Sequence, residues 1–152
     1  MKIIITLLLM CFGALSLLIA KPASTIDVFY KNQPPSLKTL EKVLPVLNEF
    51  SSKYSVNLHC ITDTLSTDLI QEYQLPATHF PFAVVINGMF SAEFENKKID
   101  FIHFPEFMHG IGRHEGNWSL EQLKTVLNTP KSLCEKNILP ILKDVESSTC
   151  SE

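Results

Sequence analysis

The spacing of apolar positions changes period several times along this chain, and each change marks an element. Ile26-Asp27-Val28-Phe29-Tyr30 is a short, mostly apolar run that predicts a buried strand. Apolar residues then recur at Leu37, Leu40, Val43/Leu44, Leu47, Phe50 and Tyr54. That spacing predicts a helix of roughly five turns. Pro34 and Pro35 suit its start, where a missing N–H costs little, and Pro45 predicts a kink within it. Val56–Ile61 reads as a second strand, with Val56, Leu58 and Cys60 on one face. A short helix carrying Leu65, Leu69, Ile70 and Tyr73 follows, capped by Thr64 or Ser66.

The unbroken apolar run Phe82–Ile86 predicts a central strand covered on both faces. Asn87-Gly88 behind it is a strong hairpin signal. It turns the chain into Met89–Glu95, and a polar turn at Asn96-Lys97-Lys98 leads to Ile99–Phe104, a three-stranded meander. Ser119 and Gln122 form a capping box, with Trp118 and Leu123 at staple spacing, for a helix ending near Asn128. After Pro130, Ser132 and Glu135 repeat the capping pattern before Cys134, Ile138, Ile141, Leu142 and Val145, which predict a final amphipathic helix kinked at Pro140.

The 152 residues fit one domain with a single core. Residues 1–20 stand apart from it: Lys2, an apolar run from Ile3 to Ile19, then Ala20, the layout of a secretory signal peptide. The run also approaches the ~18–20 residues that span a bilayer, so an uncleaved anchor is the alternative. Either way the domain is expected outside the cytoplasm, secreted or periplasmic. Residues 21–25 read as a linker, 26–129 as the domain and 130–152 as a C-terminal helical extension and tail. Lys2 is the one charged residue of the leader, so its loss moves the formal charge from −3 to −4. A mildly acidic domain with Arg113 as its single arginine has no electrostatic footprint for nucleic acid or for anionic lipid.

Beyond the leader's Cys11, three cysteines remain, Cys60, Cys134 and Cys150, and none forms a Cys-x-x-Cys pair. Cys60 falls on an apolar strand face and reads as a buried, inert thiol. A local bridge between Cys134 and Cys150 requires the last helix to break at Pro140.

The order strand, long kinked helix, strand, helix, X-Pro loop, hairpin and helix resembles the thioredoxin fold. Glu72-Tyr73-Gln74-Leu75, a short loop, Pro81, Phe82–Ile86 and Asn87-Gly88 look like that family's stretch around its cis-proline. The resemblance covers roughly residues 26–128 and implies an α/β, three-layer sandwich with a mixed central sheet; the chain departs from it by an enlarged C-terminal β-meander, and the apolar spacing beyond Pro130 adds an extra C-terminal helix. It also implies a cis-proline at Pro81 and a ligand groove beside Phe80. The family's Cys-Gly-Pro-Cys is replaced by part of Asn32-Gln33-Pro34-Pro35-Ser36, so no thiolate forms there and dithiol exchange by that route is excluded.

The expected function is therefore a non-redox binding or accessory module; no catalytic constellation is recognisable, which leans against an enzyme and leaves that question open. An extended polypeptide or envelope protein would lie along Asn32, Gln33, Pro34, Pro35, His79, Phe80 and Pro81. Two other classes stay open. His103, His109 and His114, with Glu106, Met108 and Glu115 nearby, allow a zinc or copper site, although their spacing matches no closed metal motif and solvated or hydrogen-bonded loop histidines are the preferred explanation. A single-thiol redox protein would have to use Cys60. Arg113, in a glycine-bearing loop, reads as a clamp for an anion or as an anchor for Glu106 or Glu115. No cofactor is otherwise expected.

Overall fold

The computed structural model describes residues 24–76, 80–106 and 114–139. The expected leader, His79, His109, Arg113 and everything from Pro140 onward, Cys150 included, lie outside the described residues.

The chain forms a mixed α/β structure. Strand β1 (Ser24–Tyr30) leads into helix α1 (Pro34–Asn48), then β2 (Tyr54–Cys60), α2 (Thr64–Glu72) and β3 (Phe82–Ile86). A hairpin of β4 (Ser91–Phe94) and β5 (Lys97–Asp100) follows, then α3 (Leu120–Asn128) and a 3-10 turn at Pro130–Ser132. β1 lies between β2, parallel to it, and β3, antiparallel to it. β4 and β5 pair as a separate antiparallel ladder.

Alternation along the central strands divides the core in two. Ile26 and Val28 of β1 and Phe82, Val84 and Ile86 of β3 pack with Leu40, Val43 and Leu47 of α1 and with Leu123, Val126 and Leu127 of α3. On the other face Phe29, Ala83 and Val85 meet Leu75, Phe80, Phe90 and Ile102, with Leu69 and Ile70 of α2 against them. A strand whose residues are all buried has to feed two such clusters, and β3 is buried at every position.

Several expectations change in detail. β1 begins at Ser24, inside the expected linker. α1 runs through Pro45 without breaking but stops at Asn48. Phe50 keeps its core position from a turn, where its N–H donates to Leu47, and Tyr54 keeps its own as the first residue of β2, its N–H donating to Phe50. Asp63, not Thr64 or Ser66, is the N-cap of α2, because the Ser66 hydroxyl donates to the Cys60 carbonyl instead. Asn87 and Gly88 both have positive φ, 51° and 83°, and close the hairpin through the Ile86–Met89 bridge. The next turn sits at Glu95 and Asn96, φ 49° and 62°, one step before the expected one. Beyond β5 the chain returns to β3: the Val84 N–H donates to Phe101 and the His103 N–H to Phe82.

Two corrections are larger. No peptide bond among the described residues is cis, so Phe80–Pro81 is trans. The approach to β3 is fixed by hydrogen bonds on the Pro81 carbonyl, which accepts from the Ser36 hydroxyl at 2.9 Å and from the Lys31 N–H at 3.3 Å. The expected final helix is also absent from residues 130–139. After Pro130–Ser132 the chain runs as a strap along β4, with an Ala92–Leu133 bridge and the Cys134 N–H donating to Ser91. Ser132 turns its hydroxyl back to the Thr129 carbonyl, so it caps nothing. The capping box of α3 forms as its residues dictate: the Gln122 N–H reaches Ser119 Oγ at 3.2 Å and the Ser119 N–H reaches Gln122 Oε1 at 2.8 Å.

Candidate functional site

The β1–α1 junction is built around Ser36. Gln33, in extended conformation, is the N-cap of α1 and makes no side-chain cap; Pro34 and Pro35 occupy its first positions. Two prolines remove two of the amide donors that a helix start normally leaves free. Ser36 and Leu37 both donate their N–H groups to the Gln33 carbonyl, at 3.1 Å each. The helix start is thus short of free donors for an anion. Ser36 itself is fully buried, accepting from the Lys31 N–H at 2.9 Å while donating to Pro81. One hydroxyl clamps the end of β1, the start of α1 and the approach to β3.

Around that clamp the expected groove residues separate. Asn32, Gln33, Pro34 and Pro35 form one continuous exposed run. Phe80 is buried in the α2-side core and Pro81 is buried beside it, so neither ring offers a surface. No cysteine lies at the junction. Cys60 is partly exposed rather than buried, because β2 is an edge strand, and its Sγ lies 3.1 Å from Thr62 Oγ1. Cys134, also free, has its thiol pushed upward by burial.

His103 and His114 come together, their rings stacked with centroids 5.9 Å apart. His103 holds a positive φ of 66°. Its Nδ1 is buried without a hydrogen-bond partner, and burial, then His114, holds its pKa below the usual histidine value. Among the described residues no three or more His, Cys, Asp and Glu side chains converge as a metal site. Nor is any helix among them long and apolar enough to cross a membrane.

A second polar cluster was not foreseen. Asp27, at the centre of β1, is 4% exposed. Its Oδ1 accepts from Asn57 Nδ2 at 3.0 Å and pairs with His59 Nε2 at 2.8 Å, and its Oδ2 accepts from the Tyr73 hydroxyl at 3.1 Å. A carboxylate only accepts, so His59 Nε2 is the donor in this contact. The Phe29 ring stacks on the imidazole at 4.9 Å. Burial, then the charge of Asp27, pushes the Tyr73 hydroxyl up to about 12. The signal in the sequence was Asp27 itself, an acid within an apolar strand, which burial obliges to find donors. Their identity depended on the β1–β2 register, which sets Asp27 beside Asn57 and Phe29 beside His59.

No family model matches the chain, and neither a curated protein nor a solved structure matches it. The functional reading therefore rests on this geometry.

Proposed function

We propose that the chain is a thioredoxin-like domain without dithiol chemistry, acting outside the cytoplasm as a binding or accessory module for extended polypeptide. The observation that carries the reading is Ser36: the junction is held by a buried hydroxyl, with Asn32–Pro35 exposed above it. Support for the fold comes from the element order and from the mixed sheet centred on β1. A rigid exposed loop with two prolines loses little conformational entropy on binding, which suits recognition. Because Phe80 and Pro81 are buried, a ligand meets Asn32 and Gln33 before it meets them.

The test is binding of an unstructured peptide library to the full chain and to a variant carrying Asn32→Asp and Gln33→Glu. Both positions are exposed, so folding is retained. Weakened binding in the variant is expected, and equal binding places the ligand elsewhere.

A second reading is favoured by one observation, the buried unpartnered Nδ1 of His103 beside His114. Such a nitrogen suits a soft or borderline cation, so His103 and His114 would hold zinc or copper, which supplies Lewis acidity or electron transfer when bound. Calorimetric titration with Zn²⁺ and Cu²⁺ tests it: uptake lost in His103→Gln supports the site, and no uptake by the unaltered chain ends the reading.

A further inference from the structure

We propose that the C-terminal strap is closed by an acid-operated latch, in which the proton of the Asp100 carboxyl decides whether the Ser91 hydroxyl bonds the strap at Ile138. Asp100, the last residue of β5, is 5% exposed, and Ser91, paired opposite it at the start of β4, is fully buried. The strap lies against both. Its Cys134 N–H donates to the Ser91 carbonyl, and its Ile138 N–H donates to Ser91 Oγ at 3.0 Å.

The Ser91 hydroxyl has two acceptors within reach and one proton to give. Asp100 Oδ1 lies 2.6 Å from it and the Ile138 carbonyl oxygen 3.4 Å. A carboxylate can only accept, so a charged Asp100 takes the proton and the Ile138 carbonyl goes without it. Once Asp100 is protonated, its own O–H donates to Ser91 Oγ, which has lone pairs for that bond and for the Ile138 N–H. The Ser91 proton is then free to turn to the Ile138 carbonyl. The strap gains a hydrogen bond without leaving its place.

Burial sets the direction of the response. Desolvation outweighs both the Ser91 bond and the attraction of Lys98, and holds the Asp100 carboxyl above its ordinary value of 3.8. The Cys134 thiol of the strap is itself pushed up by burial, so it stays neutral while Asp100 titrates; Glu93 of β4 bears on that thiol. A closed strap therefore favours the protonated carboxyl, and an open one, which admits water, favours the charged form. The latch is complete in acid and is lost as pH rises through the raised pKa of Asp100. Its loosening reaches the end of α2 and the β3–β4 turn, because Asn137, next to Ile138, bonds the Tyr73 and Gly88 carbonyls.

The experiment is hydrogen exchange of the full chain, followed by NMR at a series of pH values with intrinsic rates divided out. The Val28 amide of the central strand serves as internal reference. From about pH 3 to about pH 7, protection of the Ile138 amide relative to Val28 is expected to fall by about 2- to 10-fold, the worth of one hydrogen bond. Asp100→Asn, whose Nδ2 donates to Ser91 as the protonated carboxyl does, holds the ratio at its acid value throughout. Ser91→Ala, with circular dichroism to check folding, gives a low ratio at every pH. A ratio indifferent to pH in the unaltered chain overturns the proposal. So does a pH dependence that survives in Asp100→Asn, or a ratio in that variant held at the neutral-pH value of the unaltered chain.

Discussion

His59 Nε2 lies 2.8 Å from Oδ1 of Asp27, an ion-pair distance across two neighbouring strands, and the carboxylate is buried while the imidazole is 20% exposed. The pair joins the edge strand β2 to the centre of the sheet on the face that α2 covers. Tyr73 completes it from the end of α2.

Asp27→Ala leaves Asn57, His59 and Tyr73 without their common acceptor. Removing one member of a buried charged network costs about 3–5 kcal/mol, and the solvent access of His59 sets the expectation toward the lower value. His59→Ala removes one of three donors and is expected to cost about 1–2 kcal/mol. Urea unfolding of both variants checks the order; a larger loss in His59→Ala would contradict it.

The same cluster predicts an alkaline transition. Tyr73 titrates at about 12 in the folded chain against an ordinary value of 10.0, so the folded state holds this proton more tightly. Its contribution to stability is complete below pH 10 and is lost as pH rises from about 10 to about 12. Tyr73→Phe should flatten that part of the stability profile, measured by denaturation at a series of pH values. His103 has the opposite sign. Its depressed pKa makes stability fall as pH drops below the ordinary value of 6.5.

Asn137 fastens the C-terminal strap. Its side-chain amide donates to the carbonyls of Tyr73 and Gly88, at 2.9 Å each, while its Oδ1 accepts from the Phe90 N–H at 2.8 Å. Three main-chain groups on two segments, the end of α2 and the β3–β4 turn, lose their partner in Asn137→Ala, an expected loss of about 2–3 kcal/mol. Hydrogen exchange at Phe90 should accelerate in the variant; an unchanged rate would show that the strap is not what shields it.

Gly116 has no room for a side chain. A Cβ there would collide with the Ile102 carbonyl oxygen and come within 2.8 Å of Trp118 Cδ1. Trp118 is fully buried and donates from Nε1 to that same carbonyl at 3.1 Å, so neither neighbour yields cheaply. Gly116→Ala is expected to destabilise by about 1–3 kcal/mol, read from the denaturation midpoint.

The chain's local chemistry was legible wherever neighbours in sequence supply the partners. The Ser119–Gln122 box, the Asn87-Gly88 turn and the apolar run of β3 need nothing beyond their own few residues. Residues 130–139, where a helix was expected to start, go the other way: they form a strap whose hydrogen bonds go to Ser91, Tyr73 and Gly88, all distant in sequence. The candidate site divides along the same line. The absence of a cysteine pair at Lys31–Ser36 is a sequence fact, whereas the burial of Phe80 and the trans bond at Pro81 are not.

By itself, then, the sequence determined the alternation of strands and helices as far as Asn128, the Ser119–Gln122 cap, the Asn87-Gly88 turn and the lack of a thiol at the β1–α1 junction, because these depend on dihedral preference and on residues within a turn of one another. Only the tertiary structure decided that Ser36 would bridge Lys31 and Pro81, that Asp27 would collect His59 and Tyr73, and that β2 would be left with an open edge. Each of those depends on strand order and register, where buried polar groups take whichever donors the packing of distant segments brings within reach.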